Sequence, residues 1–308
     1  MIENVDNVIA AALRALPDVR GKANLALRLR NIRERRSPLD GTWKVRLSEG
    51  SEVCLPRSSR MSWTVAVTGQ WDRHLIAEVA RYVRPETLVL DVGASIGMWT
   101  VPLARTAAEH GALLWCFEPN PDNVRWLTMN IERNGLDGVV HVQPVGLGSS
   151  SSQAYLGLRE HGGGNGAVQD CGSADTIAIT VCRLDDIPMP RPISFIKLDV
   201  EGFELEVLRG GWETIRRDRP VIFGEFSTEW LRIRGENLPA YLCKLADIGY
   251  AVFTLQEERS AAWRAKDIVD RKELLAPFDS PNANLLLVPL AWTPSVLTVQ
   301  AAGIDWSS

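Results

Sequence analysis

No stretch of this chain approaches the ~20 consecutive apolar residues that a helix needs to cross a bilayer. The first residues also lack the basic-then-apolar order of a secretory signal, so no membrane partner is expected and a cytoplasmic location is the default expectation. The five cysteines are scattered, with no Cys-x-x-Cys spacing, which speaks against a disulfide framework or a zinc site and fits a reducing compartment. A basic excess is missing too. The formal charge of −4 gives no reason to expect nucleic acid as the partner. Internal repeats and long low-complexity segments are absent; only Ser149–Ser152 and Gly162–Gly166 are compositionally biased. What remains is 308 residues, 45% hydrophobic and 23% charged, enough for one α/β domain with additions or for two small ones.

Against that background one run stands out, Leu88-Val-Leu-Asp-Val-Gly-Ala-Ser-Ile-Gly-Met-Trp-Thr100. It predicts a buried strand closed by Asp91, a tight turn at Gly93, and a helix entered near Thr100. Gly97 is expected to let the backbone approach a ligand closely. The spacing is Gly-x-x-x-Gly rather than the Gly-x-Gly-x-x-Gly that seats a dinucleotide pyrophosphate. A second strand, Leu113–Glu118, ends in a carboxylate followed by Pro119-Asn120-Pro121. An acid at that place can accept both ribose hydroxyls. Its bland alternative is a capping or solvated strand-end acid. The two acids together suit a cationic ligand that carries a ribose, and S-adenosylmethionine is such a ligand.

The chain resembles the FkbM-type S-adenosylmethionine-dependent methyltransferases. The resemblance is carried by Asp91-Val-Gly-Ala-Ser-Ile-Gly97, by Glu118-Pro-Asn-Pro121 with Asn130 and Asn134, and by Phe195-Ile-Lys-Leu-Asp-Val-Glu-Gly-Phe-Glu204. Leu208–Gly211 and Arg219–Glu225 complete it, and together these segments span roughly residues 70–290. Ser95 departs from the pattern, where the family more often has Asn. The resemblance implies a class I methyltransferase fold, a Rossmann-like doubly wound sheet of seven strands with the last inserted antiparallel. It also implies a cofactor site of Asp91, Gly93, Ala94, Ser95, Gly97, Thr100, Glu118, Pro119, Asn120 and Asp199. A sugar or other hydroxyl on a specialised metabolite, as in antibiotic biosynthesis, is the implied acceptor.

Along the chain, residues 1–36 read as helical with Pro17 interrupting, and Trp43–Leu47 and Trp63–Thr68 read as strands with loop between them. The basic run from Arg20 to Arg36 reads as a solvated helix face, with a phosphate-bearing substrate as the sharper alternative. The expected organisation is an N-terminal cap over 1–70 packed beside the mouth of the site, a methyltransferase domain over 71–290, and a tail over 291–308. Core strands are predicted near 88–92, 113–118, 139–145, 194–200, 220–226, 250–255 and 283–289, alternating with helices as in a doubly wound sheet.

Ligands in such sheets bind at the carboxyl ends of the strands, near the switch point. Alternation puts Phe195, Lys197 and Asp199 on one face. A buried Lys needs a partner, which Asp199 or Glu225 could supply; otherwise Lys197 contacts substrate together with Asn165 and Glu225. Asp199 is assigned to orienting the sulfonium or the acceptor, with Glu201 beside it at a helix N-terminus. His161, beside Gly162-Gly-Gly-Asn-Gly166, is the preferred general base, against the alternative of a solvated loop histidine. Asp185-Asp186 reads as a pair of solvated turn residues, and no metal is expected. The partner is a small-molecule acceptor, and a homodimer is compatible with the sequence. N- or carboxyl-methylation, a nicotinamide-dependent oxidoreductase, and a non-catalytic cofactor-binding protein are the rival readings.

Overall fold

The computed structural model describes residues 2–15, 21–35, 41–157, 168–169, 176–257, 263–267 and 282–292. Helices α1 (Ile2–Ala15) and α2 (Lys22–Glu34) come first, followed by the antiparallel hairpin β1 (Thr42–Arg46) and β2 (Glu52–Pro56). The run Trp63–Thr68, predicted as a strand, belongs instead to helix α3 (Arg60–Thr68). Ser59 caps it by accepting from the Ser62 N–H at 3.4 Å, and Gly69, at φ 72, closes its far end with an N–H on the Val65 carbonyl. These caps, with burial of Trp63, Val65 and Val67, outweigh the weak strand preference of Val and Thr. The second strand of this region is β2, which falls where a loop was predicted.

The basic run does not form a solvated face throughout. Arg33 reaches Asp6 at 3.0 Å and Arg57 reaches the same carboxylate at 3.5 Å, while the buried Arg30 pairs with Glu34 at 2.7 Å. Arg28 and Arg35 are exposed. Trp43 and Trp63 meet edge to face at 5.3 Å in the core of this region, which also takes in Ile96 and Met98 from the later glycine turn.

Helix α4 (Arg73–Ala80) leads into β3 (Leu88–Val92), α5 (Thr100–Glu109), β4 (Leu113–Phe117), α6 (Pro121–Arg133) and β5 (Val140–Gln143). A four-stranded sheet comes next, built from β6 (Gly146–Leu147), β7 (Ser152–Gly157), β8 (Val168–Gln169) and β9 (Thr176–Cys182) in the order β6-β9-β7-β8. The chain then returns through β10 (Ile193–Leu198), α7 (Glu204–Gly210), α8 (Trp212–Asp218), β11 (Val221–Ser227), α9 (Thr228–Ile233) and α10 (Leu238–Asp247). It ends in β12 (Tyr250–Glu257), β13 (Trp263–Asp267) and β14 (Asn282–Pro289).

The main sheet has the order β13-β12-β14-β11-β10-β3-β4-β5. Its strands β11, β10, β3, β4 and β5 run parallel, and β14 lies antiparallel between β11 and β12. This is the predicted seven-stranded doubly wound sheet with its last strand inverted. The addition is β13, a hairpin partner on the β12 edge. Side chains alternate between two cores: Val89, Phe195, Val221 and Phe223 on one face, and Leu88, Leu90, Ile196 and Ile222 on the other. Chain order reverses between β3 and β10, so their carboxyl ends open on the switch-point crevice. Among the described residues no helix is long and apolar enough to cross a membrane.

Candidate active site

The turn after β3 is held in an unusual backbone state. Gly93 (φ 80), Ser95 (φ 50) and Gly97 (φ 92) are all left-handed. Asn tolerates that region better than Ser, a physical reason for the usual family residue at position 95. A Cβ on Gly93 would lie 1.9 Å from the Asp199 carbonyl oxygen, so the ends of β3 and β10 abut there. Gly97 needs glycine for its left-handed backbone at φ 92, and a Cβ there would also lie 2.9 Å from Leu127 Cδ1 of α6. Ala94 is buried beside it.

Glu118 anchors the turn from the second strand. Its Oε2 accepts from the Ser95 N–H at 2.8 Å; its Oε1 accepts from the Asn120 N–H at 2.9 Å and from Asn123 Nδ2 at 3.2 Å. Asn120 also caps α6 through the Asp122 N–H at 3.0 Å. From within the sheet, Asp91 is fully buried and accepts from Thr100 Oγ1 at 2.6 Å. Asp91 and Thr100, both assigned to the cofactor, therefore join β3 to α5 beneath the turn.

Lys197 completes the lock. Its Nζ donates to the Gly93 carbonyl at 2.9 Å and lies 3.2 Å from Asp91 Oδ1 and 3.5 Å from Asp199 Oδ2. Burial alone would push the ammonium down, but Asp91 and Asp199 outweigh it and hold its pKa above the usual lysine value. Of the two readings of Lys197, the internal ion pair is the one its surroundings display. An ammonium has three donors, and three protein oxygens surround this one. Asp199 was a predicted partner. Asp91 was not, because only the register of β10 on β3 sets Lys197 opposite Asp91.

A cleft with about 40 Å³ of space accessible to water-sized molecules borders this turn. Gly93, Phe117 and Pro119 line it on the sheet side, and Leu156, Ile179 and Val181 of the small sheet face them. Asp199 is its charged lining residue, with 42% of its side chain exposed. Glu201 sits on the adjoining turn at φ 53. At the end of β11, burial and the neighbouring charges of Asp199, Asp72 and Glu201 push the half-buried Glu225 up to about 7. His161 and Asn165 lie outside the described residues.

The profile of the methyltransferase FkbM domain matches residues 91–252, more than half of the chain and all of this turn-and-lock apparatus. The chain belongs to the FkbM methyltransferase family. Two curated relatives agree in kind. "Methyltransferase 1" of Beauveria bassiana is 26% identical over 148 residues, covering 41% of this chain and 58% of the relative. "Hexuronic acid methyltransferase AglP" of Haloferax volcanii is 30% identical over 129 residues, covering 41% of this chain and 50% of the relative. The chain thus spans between half and three-fifths of the length of these relatives. A crystal structure of an FkbM methyltransferase from Methylobacillus flagellatus KT aligns with TM-score 0.40 at 17% identity, over 87% of this chain and 59% of that one.

In this FkbM-family chain the fully buried Glu204 went unassigned, although it closes the Lys-x-Asp-x-Glu-Gly-x-Glu block. Its Oε1 accepts from the Gly202 N–H at 3.0 Å and the Val200 N–H at 3.3 Å, shaping the turn that carries Asp199 and Glu201. Its Oε2 is buried with no hydrogen-bond partner among the described residues. Burial pushes Glu204 up from 4.5 to about 7. The folded chain therefore keeps this proton to higher pH than the unfolded chain does. Its contribution to stability is full below about pH 4.5 and declines as pH rises toward 7. Glu204→Gln keeps an acceptor for both amides and removes the charge. The variant should gain up to about 3 kcal/mol over the parent at pH 8 and little at pH 4.5. Denaturant unfolding at the two pH values checks this, and an equal difference at both would show that Glu204 does not titrate as described.

Asp185 also differs from its solvated-turn reading. It caps α8, accepting from the Thr214 N–H at 2.9 Å and the Glu213 N–H at 3.2 Å. Among the described residues no group of three or more His, Cys, Asp or Glu could hold a metal ion.

Proposed function

We propose that this FkbM-family chain transfers the methyl group of S-adenosylmethionine to a hydroxyl oxygen of a sugar or other small metabolite. The observation that carries the reading is the glycine turn itself. Glu118 grips it from one side and Lys197 from the other, at the sheet's switch point and against an apolar cleft. The residues fit the cofactor by their chemistry. Glu118 follows β4 at the strand-end place where a ribose-binding acid is expected, and its neighbours Phe117 and Pro119 contribute apolar lining to the cleft. When bound, the cofactor supplies a methyl group already activated on a sulfonium.

The protein's task is then alignment and proton removal. Asp199 presents its carboxylate to the cleft and is in place to orient a cation or an acceptor hydroxyl. Glu225, pushed up to about 7, has the basicity for taking a hydroxyl proton near neutral pH, and Glu201 lies close enough to raise it. His161 and Asn165 keep their acceptor-side assignment from the sequence alone. The hexuronic acid methyltransferase among the relatives supports a sugar acceptor.

The reading is tested by measuring S-adenosylhomocysteine binding and methyl transfer to a panel of sugars, uronic acids, other alcohols and amines. Transfer to amines alone would overturn the oxygen assignment, and nicotinamide binding in place of S-adenosylhomocysteine would overturn the class. On an accepted substrate the rate should rise through pH ~7, and Glu225→Gln should remove that limb and slow turnover by about 10²–10⁴-fold. A limb that survives in Glu225→Gln returns the base role to His161.

A further inference from the structure

Asn130 joins three parts of the molecule with one fully buried amide. Its Oδ1 accepts from the Cys54 N–H at 2.7 Å, and its Nδ2 donates to the Cys54 carbonyl at 3.1 Å and to the Ile96 carbonyl at 2.9 Å. Cys54 belongs to β2 of the N-terminal hairpin. Ile96 is the residue between left-handed Ser95 and Gly97 in the glycine turn. One helical turn on, Asn134 repeats the grip on β2 only. It accepts from the Glu52 N–H at 3.0 Å and donates to the Glu52 carbonyl and the Asn130 carbonyl, both at 2.7 Å. The two amides, spaced i and i+4 at the end of α6 with Asn134 as its C-terminal cap, satisfy the backbone groups of alternate residues of β2 as a neighbouring strand would.

We propose that Asn130 is a positioning residue for the cofactor, and that through it the N-terminal hairpin holds the glycine turn in its binding form. The proposal rests on the cofactor reading above. Strained backbone persists only where its surroundings over-determine it, and Ser95 is a non-glycine residue in the left-handed region. The Ser95 amide is fixed by Glu118, and the Ile96 carbonyl is fixed by Asn130. A second observation points the same way. The Ile96 and Met98 side chains are buried in the core of the N-terminal region, with Trp43, Val53 and Trp63. That region, expected at the mouth of the site, thus also packs against the turn itself.

The comparison of Asn130→Ala with Asn134→Ala separates positioning from plain stability. Each variant loses three hydrogen bonds, and two of the three in each case go to the hairpin, but only Asn130 touches the turn. With both held below their melting temperatures, Asn130→Ala should weaken S-adenosylhomocysteine binding about tenfold or more by calorimetry, and Asn134→Ala by no more than about twofold. Equal losses, or none for Asn130→Ala, would overturn the proposal. If Asn130→Ala does not fold, amide exchange on the unmodified chain decides. Coupling is reciprocal, so saturation with S-adenosylhomocysteine should slow exchange of the Cys54 amide, and an unchanged rate would overturn the proposal. Failure of the unmodified chain to bind S-adenosylhomocysteine would sink the cofactor reading and this inference with it. Normal binding with an indifferent Asn130 would sink the inference alone.

Discussion

Glu118→Ala should weaken S-adenosylhomocysteine binding by about 30- to 1000-fold, equivalent to about 2–4 kcal/mol. Two losses add to give this size. The carboxylate assigned to the ribose is gone, and so is the acceptor that holds the Ser95 and Asn120 amides of the two strand-end turns. Leaving buried donors unpaired costs their full desolvation, so the variant should also melt earlier than the parent. Calorimetry below the new melting temperature isolates the binding effect. Glu118→Gln refines the result, since its amide keeps one acceptor and the shape but lacks the charge. Unchanged affinity in the folded alanine variant would take Glu118 out of the cofactor site.

Lys197→Met should cost about 3–5 kcal/mol of stability, because it leaves the Asp91 carboxylate fully buried without its cation. Breaking one side of a buried pair is worse than never having the pair. Lys197→Met combined with Asp91→Asn should therefore recover much of the loss. The pH dependence has a definite sign. Lys197 titrates above its ordinary 10.5 in the folded chain, so its contribution is fully present below that pH. The gap between parent and Lys197→Met should stay constant through the neutral range and shrink only as pH rises through the lysine's raised value. Denaturant midpoints across pH measure it. A loss below about 1 kcal/mol would mean that Asp91 is relieved by some other group.

Much of the fold is legible in the residues taken in order. The five-residue apolar run of β3, the capping order Asn120-Pro121 before α6, and the alternation of strand and helix are local signals. They were enough for the seven core strands, because strands buried on both faces must be nearly continuous apolar runs, while the inversion of the last one was implied only by the family resemblance. Trp63–Thr68 was misread for a complementary reason. Val and Thr favour strands only weakly, and the deciding groups, the Ser59 cap and the Trp43 ring that meets Trp63, lie outside the run. The segment from Gly146 to Cys182 carries a small separate sheet, whose β6–β9 and β7–β9 pairings no local pattern announces.

The site divides along the same line. Gly93, Glu118 and Asp199 could be named from the sequence because a strand-end acid or a turn glycine is marked by its immediate neighbours. The partners of those residues could not. Lys197 meets Asp91 only because β10 lies beside β3 in one register, and Leu127 of α6 comes to pack on Gly97 only in the folded chain. Asn130 reaches Ile96 and Cys54 from a third element. The sequence by itself determined the core strands of the main sheet, their order along the chain and their strand-end residues, since backbone geometry and hydrophobic period act over a few neighbouring positions. Tertiary structure alone decided which buried charge faces which, how far Glu204 and Glu225 are pushed toward neutrality, and what braces the glycine turn. Those depend on burial and on distances of a few ångströms between groups far apart in the chain.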